Sequence, residues 1–413
     1  MMRAALVIWI LSAVICLGRG HHHEGHEATG PTEQDTALEN NVSLVISENN
    51  HFAFRLYKQL AAHPDNEGKN IFFSPVSVSL ALAALSVGAK GRTHEQLFNG
   101  LGYNNSLLTQ ANVNQAFKIL LDKANNTLSE DVSEGTAVFM DGRFKSEPEF
   151  LETLRQSYFA DGFTVDFTKT KDSADTINKY VEDKTNGKID KLVDNMDPNT
   201  VMYLISYIYY KGKWAMPFEP QLTREEEFTV DENTKVPVQM MNMEKLLDTY
   251  YDQKINTSVL HLPFNNSYSM LLMLPDDMAT LENAICPGHV TKWLKWMRDR
   301  LYDIYVPKFS IKSSYSLKDV LTEMGMSDMF GDLADLSGIS EGQKLAVSEV
   351  VHQATLDVDE AGATAAAATG VGITLMSFRH VPVLRFNRPF MVVIIERSTE
   401  NILFMGKINN PNI

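Results

Sequence analysis

With 413 residues, 44% hydrophobic and 22% charged, the chain has the balance of an ordinary globular protein and enough length to bury a large core. A formal charge of −15, with no dense run of Lys or Arg, excludes nucleic acid as a partner, because nothing in the chain could displace its counterions. After the first twenty residues no segment stays apolar long enough to span a bilayer, so no membrane partner is expected.

The chain opens MMRAALVIWILSAVICLGRG, with Arg3 ahead of an apolar run from Ala4 to Leu17 and then the small residues Gly18 and Gly20. This predicts a secretory signal over residues 1–20 and an extracellular protein, with blood plasma as the expected compartment. Cys16 leaves with the signal and Cys286 remains alone, so the secreted chain can form no internal disulfide. Cys286 is expected to be a small buried hydrophobe. Five Asn-x-Ser/Thr acceptors, at Asn41, Asn104, Asn125, Asn256 and Asn265, agree with export and are the candidate glycosylation sites. Residues 21–48 are polar and lack apolar periodicity, which predicts a disordered tail. Its His21, His22, His23 and His26 could meet a transition metal, but no ordered groups orient them, so neither a metal site nor a cofactor is expected.

Residues 49–413 contain no linker-like stretch and no repeat, which predicts one domain. In HFAFRLYKQLAAHP the residues Phe52, Leu56, Tyr57 and Leu60 recur at helical spacing. Ser74-Pro75 then reads as a helix start, a hydroxyl cap followed by a residue that needs no N–H. The helix that follows is apolar almost all round and must be central. Later runs (VMYLISYIYYKGKW, SYSMLLMLP, DIYVPKFSI, KLAVSEVVHQATLDV, FMVVIIE, NILFMGKI) are rich in β-branched, aromatic and long aliphatic residues and predict strands. Helices early and strands late indicate an α+β fold.

Gly338-Ile339-Ser340-Glu341-Gly342 has the letters of a nucleophile elbow, which needs a strand before it and a helix after it. An acidic, loop-like stretch precedes it and a strand-like one follows, so no serine hydrolase is expected. No metalloprotease, phosphate-loop or dinucleotide motif occurs either, and the protein is not expected to be an enzyme.

Residues 357–383, DVDEAGATAAAATGVGITLMSFRHVPV, form the unusual stretch. A helix here is weakened by Thr364, Thr369, Gly370 and Gly372 and has no apolar face to dock. In an extended strand, Ala363, Ala365, Ala367 and Thr369 form one face and Thr364, Ala366 and Ala368 the other. A strip this small could slide between two existing strands with almost no steric demand.

DEAGATAAAATG resembles the hinge of inhibitory serpins. NIFFSPVSVSLALAALSVGAKGRTHEQL, YIYYKGKW, DLSGIS, VVHQATLDVDEAGA, FNRPFMVVIIE and FMGKINNP resemble that family's other signatures, in family order, from about residue 49 to 411. Within the family the likeness is to inhibitors of the antitrypsin type. The resemblance implies a serpin fold of three β-sheets with about eight or nine helices and an exposed reactive-centre loop over about residues 360–382. It implies a suicide substrate of serine proteases, in which the cut loop inserts into the central sheet and traps the acyl-enzyme.

Carried over by position, the hinge comprises Glu360, Gly362, Ala363, Thr364, Ala365, Ala366, Ala367 and Ala368, with Ala363 standing where many inhibitors have Thr. Ser74, Ser77 and His352 match the polar cluster beneath the opening sheet, Ser206 stands where the family usually has Asn, and Trp214 matches the tryptophan where insertion starts. The reactive bond falls at Met376-Ser377, with Ile373, Thr374, Leu375 and Phe378 as the flanking subsite residues. A long apolar Met376 side chain suits elastase-like and chymotrypsin-like pockets, whereas trypsin-like enzymes would prefer Arg379. Residues 112–127 lack the basic face that heparin would need, and a monomer is expected. A non-inhibitory carrier of a small hydrophobic ligand or hormone shares the scaffold, but such proteins usually place bulky, charged or proline residues in the hinge. None occurs between Gly362 and Gly370.

Overall fold

The computed structural model describes residues 33–127, 132–342, 344–361 and 381–413. Its first element, α1 (Glu33–Ala62), already runs through much of the stretch whose composition predicts a disordered tail to residue 48. Docking explains the difference. Val45, Ile46 and Asn49 are buried, and the Asn49 Oδ1 accepts from the Tyr103 hydroxyl at 2.9 Å, so a few anchors hold a segment with little periodicity of its own. Phe52, Leu56, Tyr57 and Leu60 are buried, as their spacing predicts.

A short strand, β1 (Ile71–Phe73), leads into α2 (Pro75–Ser86). Ser74 caps this helix by accepting from the Ser77 N–H at 3.3 Å, and every residue of α2 except Val76 is buried. Around it lie α3 (Gly91–Leu101), α4 (Gln110–Thr127) and, after β2 (Val132–Asp141), α5 (Pro148–Tyr158). Next come β3 (Asp161–Val165), α6 (Thr170–Lys184) and β4 (Met202–Tyr210), then β5 (Arg224–Thr229), β6 (Lys235–Asp252), β7 (Thr257–Pro263) and β8 (Tyr268–Pro275). The short helices α7 (Met278–Ala284) and α8 (Pro287–Trp296) precede β9 (Arg298–Pro307), β10 (Phe309–Ser316), α9 (Lys318–Glu323) and β11 (Glu349–Val358). After residue 381 follow β12 (Val383–Arg385), β13 (Phe390–Glu396) and β14 (Ile402–Ile408).

The described strands form two hydrogen-bonded sheets where three are expected. One has nine strands, in the order β1-β14-β13-β8-β7-β6-β9-β12 with β5 beside β6, and the other has five, in the order β10-β11-β4-β2-β3. The long β6 explains the merger: residues 235–240 pair with β5, 240–249 with β9 and 248–252 with β7, so one strand joins two expected sheets.

The five-stranded sheet is buried on both faces. In β4, Met202, Leu204, Ile208 and Tyr210 point to the α2 side, while Tyr203, Ile205, Tyr207 and Tyr209 point to the side covered by α6. At its centre β11 and β4 run parallel, Glu349 opposite Tyr203 through Leu356 opposite Tyr210. The other contacts of both strands are antiparallel, β11 with β10 and β4 with β2.

Cys286 is exposed at the start of α8, not buried, its Sγ 3.3 Å from the His289 Nδ1; a cap position stands at the end of a helix and carries no packing duty. Ser340 is buried in a turn with no strand before it or helix after it, which is not the setting of a nucleophile. No helix of the described residues is long and apolar enough to cross a membrane.

Candidate functional site

Two polar clusters hold β11, one at its middle and one at its end. At the middle sits His352, fully buried, opposite Ser206 on β4. The backbone N–H of Ser74 donates to its Nε2 at 2.9 Å, which fixes that nitrogen as an acceptor. In a neutral imidazole the proton then belongs to Nδ1, which lies 2.7 Å from the Ser206 Oγ and donates to it. The Ser74 hydroxyl meets that of Ser77 at 2.9 Å. The cap of α2, the ring on β11 and the hydroxyl on β4 thus form one chain of bonds across the parallel seam. Burial pushes the His352 pKa down to about 3, so the ring stays neutral at physiological pH. The short Ser206 side chain reaches the ring.

At the end, Asp359, Glu360 and Ala361 meet the segment after β4. Trp214, 2% exposed, stacks on Phe264 with centroids 4.6 Å apart and planes at 16°. Its indole N–H donates to the Asp359 carbonyl at 2.7 Å and its backbone N–H to the Ala361 carbonyl at 3.0 Å. Two residues earlier, Gly212 is forced by contact: a Cβ there would stand 2.4 Å from the Phe264 ring. The glycine and tryptophan of YIYYKGKW therefore serve one packing arrangement.

Two carboxylates finish this end. Lys211 pairs with Asp359 at 2.9 Å. Glu360 accepts from the Thr223 hydroxyl at 2.8 Å and from the Lys308 ammonium at 2.9 Å. Burial alone would raise the Glu360 pKa, but these two partners outweigh it and hold the carboxyl below its ordinary value; Lys211 and the Ala361 N–H do the same for Asp359. Sequence reasoning names Glu360 and Trp214 but not Lys308, Thr223 or Lys211. The signal for Lys308 is the loop between β9 and β10, whose partner only the fold reveals.

The structure therefore brings Ser74, Ser77, Ser206 and His352 into one cluster and Trp214 and Glu360 into another. Gly362, Ala363, Thr364, Ala365, Ala366, Ala367 and Ala368, the subsite residues Ile373, Thr374, Leu375 and Phe378, and the Met376-Ser377 bond lie outside the described residues. So do the signal, the histidines at 21–23 and 26, and Arg379. Of the glycosylation candidates, Asn104, Asn125, Asn256 and Asn265 are exposed, and Asn41 is half-buried within α1.

A family model described as Serpin (serine protease inhibitor) matches residues 47–411. A serine protease inhibitor of Mus musculus is 42% identical over 416 residues, covering 98% of this chain and 97% of the relative. An alpha-1-antitrypsin-like protein of Tamias sibiricus is 39% identical over 407 residues, covering 97% of each. Among solved structures, human thyroxine-binding globulin complexed with thyroxine superposes with a TM-score of 0.84 at 34% identity, covering 90% of this chain and 100% of that one.

Proposed function

Because the chain belongs to the serpin family, we propose that it is a secreted inhibitor of serine proteases, not itself an enzyme, that works as a suicide substrate. The protease serine attacks the Met376 carbonyl, the Met376–Ser377 peptide bond breaks, and the new amino terminus at Ser377 departs. Met376 remains as an ester on the enzyme. The freed strip after Ala361 then enters the sheet between β11 and β4 and carries the acyl-enzyme away before water completes the hydrolysis.

One observation carries this reading: β11 and β4 are parallel neighbours, and β11 ends at the small-residue hinge. A strand that turns back after Ala361 runs antiparallel to both. It would replace one parallel ladder with two antiparallel ones, which are the more stable kind per residue. Hydrogen bonds gained and chain entropy lost are of comparable size in such a step, so the surplus has to be held in the closed sheet. The buried amide of Gln353, on β11 itself and unpaired among the described residues, is a candidate for part of it.

Met376 directs the inhibitor to elastase-like and chymotrypsin-like enzymes, and Arg379 offers a bond to trypsin-like ones. The likeness to a thyroxine carrier supports a second reading, a binding protein for a small hydrophobic ligand. The absence of bulky, charged or proline residues between Gly362 and Gly370 favours insertion over that alternative. Incubation of the mature protein with neutrophil elastase separates them. An SDS-stable complex and a cut after Met376 are expected, and clean cleavage that leaves the elastase active would refute the inhibitor.

A further inference from the structure

A partly open cavity lies between α2, α4, the start of β2 and the turn joining β13 to β14, with a volume of about 60 Å³. Its walls are mainly hydrocarbon, from Leu80, Leu120, Leu121 and Leu403 with the rings of Phe117 and Tyr268.

The polar groups in it are unevenly provided for. Glu396 is occupied: it accepts from the Ser398 and Thr399 hydroxyls at 2.7 Å each, with Lys123 3.8 Å away. Lys123 also donates to the Ser398 hydroxyl at 2.8 Å, so its charge is engaged on that wall. Glu134 differs. Strand alternation puts it on the face of β2 that carries Thr136 and Val138, toward α2, and its carboxyl makes no hydrogen bond or ion pair with any described residue. The Asn401 Oδ1, also on the wall, is a buried acceptor without a donor among the described residues. Hydrocarbon walls, an unanswered carboxyl and an unanswered carbonyl call for an apolar body that carries a positively charged donor.

We propose that this cavity binds a small amphiphilic amine, its hydrocarbon body against Leu80, Leu120 and Phe117 and its ammonium on Glu134. Nothing in the inhibitory mechanism requires such a ligand, so the site stands independently of that reading.

Burial pushes the Glu134 carboxyl up to about 7, and no charged group is the cause. The titratable groups around it do not change charge near neutrality. Burial acts to raise Glu396, but its hydroxyl partners outweigh that and hold it low, while burial raises Tyr268, Tyr207 and Tyr158. From α2 come Val76, Ser77 and Leu80, which do not titrate. Amine binding should therefore strengthen as pH rises through about 7.

The test uses the intact protein and three probes with one tail, n-octylamine, n-octanol and n-octanoate, titrated calorimetrically below micelle-forming concentrations on both sides of neutral pH. Above neutrality the amine should bind about tenfold or more tightly than the alcohol, as expected for a charge-assisted bond, and the carboxylate should bind worst. In Glu134→Gln the preference of amine over alcohol should vanish while alcohol binding persists. Leu120→Trp, which fills the cavity, should weaken amine and alcohol alike. Melting curves establish that both variants are folded. Equal binding of amine and alcohol by the natural protein, a preference that survives Glu134→Gln, or binding untouched by Leu120→Trp would each overturn the proposal.

Discussion

Toward α2, strand β11 carries His352 with both ring nitrogens hydrogen-bonded; toward α6 the next residue, Gln353, is equally buried and neither of its amide atoms meets a described partner. The Thr355 hydroxyl, on the Gln353 side, is also unpaired among the described residues. A buried amide left without partners costs about 1–3 kcal/mol, whereas a satisfied network in a low-dielectric interior is hard to break. One face of the strand therefore holds the sheet closed and the other keeps it from being as stable as it could be. If the sheet admits a new strand beside β11, as we propose, both properties are of use.

The largest way to break this comparison is His352→Ala. It leaves the Ser74 N–H and the Ser206 hydroxyl without their partner and opens a cavity, and it should lower native stability by about 3–5 kcal/mol, read from urea unfolding. Acid does the same to the natural protein. The folded ring holds a pKa of about 3 against an unfolded value of 6.5, so the unfolded chain binds the extra proton between those limits. His352 should contribute a loss of stability as pH drops below about 6.5, and that contribution should be missing in His352→Gln, whose stability should depend less steeply on pH in the acid direction than that of the natural protein. An unchanged slope in that variant would assign the acid sensitivity to other groups.

On the opposite face the sign reverses. Gln353→Met removes two unpaired polar atoms and keeps the length of the side chain, so it should raise native stability by about 1–2 kcal/mol. A stabilised protein that also forms fewer protease complexes per cleavage would tie the unpaired face to insertion. The smallest effect belongs to the end of the strand. Glu360→Gln loses the Lys308 pair, whose lysine is 45% exposed, so the loss should be about 0.2–1 kcal/mol and should fade as salt is added. The Trp214 bonds to the Asp359 and Ala361 carbonyls remain in that variant.

Local signals carry much of this architecture. Ser74-Pro75 announces its helix because capping needs only neighbouring residues, and MYLISYIYY, VVHQATLDV and FMVVIIE become strands because their composition suits a sheet covered on both faces. Position in the family signature brings Ser74, Ser77, Ser206 and His352 together. What escapes is whatever depends on distant partners. The start of α1 is helical because Val45, Ile46 and Asn49 dock, which its polar composition hides. Lys308 and Thr223 answer Glu360 from separate parts of the chain, and Glu134 reads as an ordinary surface acid until β2 turns it toward α2. Cys286 is exposed although its residue type predicts burial, because its place at a helix end decides its environment.

The most direct measurement heats two samples side by side, the intact protein and protein nicked within residues 362–380 by a protease that is then removed. If the small-residue strip becomes a strand between β11 and β4, the nicked protein should remain folded well above the temperature at which the intact one unfolds. A nicked protein that melts at or below the intact one would mean that the strip stays out of the sheet, and trapping by insertion would have to be abandoned.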